Sequence, residues 1–196
     1  MLYKIIRLIF FAIYFLLVLK QIITKTYFKK WKNILLILLL LTLVVFPFEN
    51  VFINFKTPER AFKYTCIGRI ESIIYGNKSC MVYYSTGKSS YSYVFFVKNK
   101  ENYKVMSSFH RNKVLEKIDK NCALKIYNVA GTDDYYVLGA INSEAEEIGI
   151  YNDLNEKMES KIERIGQTSF IVSYLEGFSH KYYALVDNHK IYFSND

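Results

Sequence analysis

The residues able to do chemistry are few and scattered in this chain of 196 residues with 3 Cys and 3 His. The cysteines, Cys66, Cys80 and Cys122, contain no Cys-x-x-Cys pair, and His110, His180 and His189 stand far apart, so the short ligand spacing of a zinc centre is missing. Asp133 and Asp134 form an adjacent carboxylate pair of the kind acid–base chemistry uses, but after Gly131-Thr132 the same residues signal a turn. Glu144, Glu146 and Glu147 offer oxygen ligands without the alternation and glycine of a calcium loop. No serine sits in a Gly-x-Ser-x-Gly elbow, and no glycine-rich nucleotide loop occurs. The sequence therefore predicts no catalytic residue, no cofactor site and no metal site, and the chain is read as a non-enzyme.

An odd cysteine count leaves at least one thiol unpaired. A hairpin turning at Gly76-Asn77 predicts Cys80 opposite Ile73 and Cys66 opposite Gly87, a register that does not join the two. Buried free thiols acting as small apolar residues are the expectation.

The formal charge of +8 is unevenly placed. Before residue 56 lie Lys4, Arg7, Lys20, Lys25, Lys29, Lys30 and Lys32 against the single acid Glu49, so most of the surplus belongs to the first 55 residues. The same stretch holds two apolar runs. Leu8 to Leu19 is uncharged, and if Arg7 and Lys20 snorkel the run extends from Ile5 to Ile23, roughly 28 Å of helix at about 1.5 Å per residue. The second runs uncharged from Ile34 to Phe48, with Pro47 near its far end. Between them Lys25, Tyr27, Lys29, Lys30, Trp31 and Lys32 interleave cations with amphipathic rings, the mixture a membrane interface with anionic headgroups selects. Residues 1–55 are thus expected to form a membrane anchor of two transmembrane helices, or of one plus an interfacial helix, with residues 24–33 as a cytoplasmic loop. The positive-inside rule then puts residues 56–196 outside the cell membrane. With its charge read as topology, the chain is not expected to bind nucleic acid.

Residues 56–196 read as an α+β domain with a mostly antiparallel sheet. Thr57-Pro58-Glu59 marks a helix start, with a capping hydroxyl, a proline at the first helical position and an acid at the positive end of the dipole. Runs rich in Ile, Val, Tyr and Phe, broken by Gly76-Asn77-Lys78, Gly87-Lys88-Ser89 and Asn99 to Asn102, predict strands at 67–75, 79–85, 91–98 and 103–106. Further strands are expected at 123–130, 135–142, 147–151, 169–175, 181–186 and 189–193. Helices are expected from Ser107 or Ser108 through Ile118, and from a capping box at Asp153 and Glu156 through Ile165 to a stop at Gly166. Pairs such as Tyr83-Tyr84, Tyr135-Tyr136 and Tyr182-Tyr183 should send one ring to each face of a strand, leaving several tyrosines exposed for protein or glycan contact.

The order of apolar segments, a Thr57-Pro58-Glu59-Arg60-Ala61-Phe62 helix and a Tyr-rich meander resembles small, uncharacterised membrane-anchored envelope proteins of low-GC Gram-positive bacteria. The stretch from Val129 through Gly131-Thr132-Asp133-Asp134 to Val137 is similar to a second hairpin in such proteins. The resemblance carries no functional residues, but the absence of a catalytic constellation together with a large outer β domain on a short connector leads to the expectation of a membrane-anchored extracytoplasmic binding or accessory module of the envelope, with the lipid bilayer and its anionic headgroups, and an envelope protein or glycan, as partners. A toxin-immunity protein is the alternative, and an envelope hydrolase a third reading.

Overall fold

The structure, a computed structural model, describes residues 2–24, 34, 37–38, 40, 47, 50, 52–87, 90–106, 111–119, 122–142, 147–165, 167–178 and 182–193. Thr57 begins the helix α2 (Pro58–Thr65) as expected, its hydroxyl accepting from the Arg60 amide at 3.4 Å with Pro58 at the first helical position. From Arg69 onward the chain turns back on itself as antiparallel strands. A front sheet is a plain meander of β1 (Arg69–Tyr75), β2 (Ser79–Gly87), β3 (Ser90–Asn99) and β4 (Asn102–Val105). A middle sheet has the order β5-β6-β7-β10-β9, built from β5 (Arg111–Asp119), β6 (Cys122–Val129), β7 (Asp134–Asn142), β9 (Ser160–Ile165) and β10 (Thr168–Glu176). A back sheet pairs β12 (His189–Tyr192), β11 (Tyr183–Val186) and β8 (Ile148–Tyr151).

Alternation along the strands stacks these layers. On β2, Cys80 and Val82 face α2 with Phe62 and Phe96, whereas Met81 and Tyr83 face the middle sheet. On β6, Leu124 and Ile126 join Ile150 and Phe193 of the back sheet, whereas Tyr127 and Val129 meet Phe95 of the front sheet. A strand covered on both faces carries apolar residues continuously, which is why Ser79 through Tyr83 are all buried. The tyrosine pairs obey the same rule with a different outcome. Tyr84 leaves the cleft side but packs edge-on against Phe62 at 4.8 Å, so the outward ring is covered by a helix rather than offered to solvent.

Four expectations are corrected. The helices predicted to cross a membrane are not found: among the described residues no helix is long and apolar enough to do so, and the architecture is mostly antiparallel β-sheet with two helices. The first apolar segment is the helix α1 (Leu2–Thr24), but the uncharged stretch between Arg7 and Lys20 is only about 18 Å long at 1.5 Å per residue, against about 30 Å of hydrocarbon. Its Ile6 packs at the edge of the cluster around Phe62. The second apolar run and Lys25, Tyr27, Lys29, Lys30, Trp31 and Lys32 lie outside the described residues, apart from isolated positions of that run.

The helix predicted through Ile118 is the strand β5. A register shift between Lys113 and Leu115 leaves Val114 as the unpaired residue beside buried Leu115, and Ile118, three residues on, lies on the opposite, exposed face, so the helix-like spacing joins residues that do not share a face. The helix predicted from Asp153 is a turn followed by β9. Asn152, not Asp153, takes the local amides: its Oδ1 accepts from Leu154 at 3.0 Å and Glu156 at 2.9 Å, and Asn155 then enters the left-handed region at φ 59°.

The first hairpin also pairs two residues out of the expected register, Tyr75 opposite Cys80 and Ile73 opposite Val82, because its loop closes with the Gly76 amide on the Ser79 carbonyl at 2.9 Å. Cys66, Cys80 and Cys122 are free thiols, Cys80 and Cys122 buried and Cys66 half-buried. Burial pushes the Cys80 thiol up to about 12, and the thiolate is the reactive form. In the folded protein at pH 8, Ellman's reagent is therefore expected to modify Cys66 first, with Cys80 and Cys122 reacting only on unfolding. Rapid modification of all three in buffer would contradict this packing.

Candidate functional site

Two features lie between the front and middle sheets, one at each end. At the first, four donors converge on the carboxylate of Asp134, which opens β7 and is buried. Its Oδ1 accepts from the Asn77 amide at 3.2 Å and the Tyr174 hydroxyl at 3.0 Å, and its Oδ2 from the Lys78 amide at 2.8 Å and the Ser79 hydroxyl at 2.6 Å. Ser79 spends its only proton on Asp134, so Tyr136, 2.8 Å from the Ser79 oxygen, is the donor in that contact. Burial, with the bond to Asp134 next, pushes the Tyr174 phenol up to about 12. A carboxylate offers about four lone-pair sites, and all are occupied here. Asp134 therefore fastens the β1–β2 turn to the middle sheet and has no lone pair left for proton transfer to a substrate. Asp133 is exposed, its carbonyl accepting from Gly177 at 2.8 Å. The adjacent acids do not form a working pair.

At the opposite end the sheets part around a cleft of about 330 Å³. The front sheet contributes Tyr83, Tyr91 and Tyr93, and the middle sheet Tyr127 and Phe170. Register explains the convergence: Tyr83 pairs with Tyr93 and Ser85 with Tyr91, so all three front tyrosines project from one face. Facing them, Ala123 pairs with Ala140, and these small side chains leave the space that larger residues would fill. Tyr83 and Tyr91 stack at 5.5 Å with 10° between their planes, Tyr91 continues to Phe170 at 5.8 Å, and Tyr93 lies 5.2 Å from Tyr127. The Arg111 guanidinium sits 5.9 Å over the Tyr93 ring. Lys125, on the cleft wall, is paired with Glu116 at 2.9 Å. Hydrogen bonds from Lys113 and Lys125 hold the Glu116 carboxyl below its ordinary range. Burial raises the Tyr83 and Tyr93 phenols well above theirs. The buried Tyr83 hydroxyl has no hydrogen-bond partner among the described residues.

A second cavity, about 640 Å³, opens between the edge strands β1 and β9, with Ser72, Tyr75, Ser160 and Lys161 on its walls. The Lys161 ammonium crosses this gap to the Glu71 carbonyl at 2.7 Å. A different contact closes the far edge of the front sheet. Asn50 donates to the Val105 carbonyl at 2.7 Å and accepts from the Val105 amide at 2.9 Å, and Tyr103 donates to the Phe55 carbonyl at 2.7 Å. The segment before α2 thereby covers the open edge of β4.

Of the residues with chemical potential, His110, His180, Glu144 and Glu146 lie outside the described residues. His189 is exposed on β12, and Glu147 is exposed just before β8, its carboxylate accepting from Tyr151 at 3.4 Å. Among the described residues no group of three or more His, Cys, Asp or Glu is placed to hold a metal ion. What sequence reasoning missed is the aromatic cleft: its tyrosines were visible, but their convergence depends on the pairing of two sheets. No family profile, curated protein or solved structure matches the chain.

Proposed function

We propose that the chain is a binding or accessory module of the cell envelope, acting at the cell membrane with residues 56–196 on its outer face and taking its ligand in the cleft between the front and middle sheets. The observation that carries this reading is the convergence of Tyr83, Tyr91, Tyr93, Tyr127 and Phe170 on one open cleft of about 330 Å³, within the range that small ligands occupy. Aromatic side chains concentrate contact area with little rotamer freedom to lose, the property binding surfaces select. Contact with lipid is assigned to α1, which exposes Leu8, Phe15, Leu16 and Ile23. A contiguous apolar surface of this kind suits a lipid boundary, and Arg7 and Lys20 on the same helix suit anionic headgroups. Nucleic acid is not a partner in this reading, because the surplus positive charge lies mostly before residue 56.

The test is retention of the full chain on isolated Gram-positive envelopes, read by sedimentation. Wild type is expected in the pellet, Tyr91→Ala is expected to weaken retention about tenfold, and Leu16→Asp, which removes apolar contact and adds a repelled charge, to weaken binding to vesicles of phosphatidylglycerol. A wild-type chain that stays in the supernatant, or a Tyr91→Ala chain retained equally, overturns the reading.

A further inference from the structure

We infer that the cleft takes a neutral saccharide of roughly one or two pyranose rings, with the Tyr83 hydroxyl as a hydrogen-bonding partner for a sugar hydroxyl. This inference rests on the cleft being the ligand site and adds the chemical class of the ligand.

Three observations converge on it. The first is the arrangement of flat faces. Tyr83 and Tyr91 lie nearly parallel, and Phe170 and Tyr93 extend the aromatic lining. The electron-rich face of an aromatic ring attracts the polarised C–H groups on one side of a pyranose, and a floor of Ala123, Ala140 and Leu138 leaves room for that ring.

The second is the Tyr83 hydroxyl. Tyr83 is 6% exposed, lines the cleft, and its oxygen is buried with no partner among the described residues. Buried hydroxyls are almost always paired, and an orphan calls for an explanation. An aliphatic chain or a phenyl group in the cleft would leave it orphaned, whereas a saccharide supplies both an apolar face for the rings and hydroxyls for the oxygen. The stacked Tyr91 ring must turn aside for a sugar hydroxyl to reach it, and Tyr91 is half-buried near the end of its hairpin.

The third is charge. Lys125 is the charged residue on the wall, and its ammonium is paired with Glu116 at 2.9 Å, a carboxylate it shares with Lys113. The lining thus offers no carboxylate to a cation and only an already paired ammonium to an anion, so a ligand that carries hydroxyls and no charge suits it.

The experiment is saturation-transfer NMR with calorimetric titration of the full chain, using chitotriose and cellotriose as saccharide probes and the tripeptide Gly-Phe-Gly as the aromatic contrast. At least one saccharide is expected to bind, with transfer strongest to the protons of one ring face. Tyr83→Phe is expected to weaken it about tenfold, the effect of one lost hydrogen bond, while leaving Tm unchanged or a few degrees higher because an unpaired buried hydroxyl is removed. That opposition of affinity and Tm is a signature that a merely structural tyrosine does not give. If Tyr83→Phe fails to fold, Ala140→Leu, which fills the cleft floor from a half-buried position, is the second variant and should weaken binding several-fold. Binding of the tripeptide alone, lost in Ala140→Leu, overturns the saccharide and keeps the cleft. No binding of any probe overturns both, and saccharide binding unchanged in Tyr83→Phe overturns the role of that hydroxyl.

Discussion

Replacing Asp134 by Ala is expected to lower the stability of the fold by about 3 to 5 kcal/mol, the range measured when one partner of a buried charged network is deleted. For a chain of this length that corresponds to a fall in Tm of roughly 10 °C or more. The reason is the number of groups stranded, not the loss of one residue. The amides of Asn77 and Lys78 and the hydroxyls of Ser79 and Tyr174 all donate to this carboxylate, and Ser79 is 1% exposed, so water does not simply replace it. Each buried donor left unmatched costs about 1 to 3 kcal/mol, and relaxation of the turn recovers part of the sum. Asp134→Asn keeps the shape but turns an amide donor toward other donors, and is expected to cost about 2 kcal/mol. Chemical denaturation followed by circular dichroism measures both. A loss below 1 kcal/mol for Asp134→Ala would show that the front sheet does not depend on this carboxylate.

The contrast between Asp134 and the strands around it shows what can be read from a linear chain. Runs of Met, Val and Tyr in β2 and of Tyr, Val and Phe in β3, bounded by Gly-Asn-Lys, Gly-Lys-Ser and Asn-Lys-Glu-Asn turns, place the two strands within two residues of their observed ends, because residue type and turn chemistry are local properties. The N-cap at Thr57 is equally local. β5 and β9 were hidden for opposite reasons. In β5 a register shift between Lys113 and Leu115 disguises a period of two, and before β9 Asn152 uses the amides that a helix would otherwise need. Asp134 itself looks like half of a polar turn. Its actual partners lie at Asn77, Lys78 and Ser79, more than fifty residues away, and only the stacking of two sheets brings them together. The cleft is illegible for the same reason. Tyr83 and Phe170 carry no mutual spacing signal, and Ala123 and Ala140 become meaningful only when they are seen to be a small cross-strand pair beneath large rings.

Gly76→Ala is expected to destabilise the protein by about 2 kcal/mol, against the usual sign for a glycine of ordinary backbone geometry. Where an alanine fits without strain, the change stabilises by about 0.4 to 1 kcal/mol through the unfolded chain. Gly76 carries no left-handed φ, so the backbone raises no objection. The objection is the Asp134 network itself. A Cβ at this position would lie 2.7 Å from the Tyr136 hydroxyl, 2.7 Å from Cε2 of Tyr174 and 2.8 Å from Oδ2 of Asp134. None of the three can retreat freely: Tyr136 is fully buried and bonded to Ser79, Tyr174 is bonded to Asp134, and Asp134 holds four donors. Overpacking of this kind costs about 1 to 3 kcal/mol, enough to outweigh the entropic benefit. The explanation predicts coupling as well as magnitude. In a Tyr136→Phe background the nearest oxygen is gone, and Gly76→Ala should then cost at least about 1 kcal/mol less than in wild type, as expected for residues in contact. Additive losses across that cycle would mean that Gly76 is required for some property of the turn other than the room it leaves for the middle sheet.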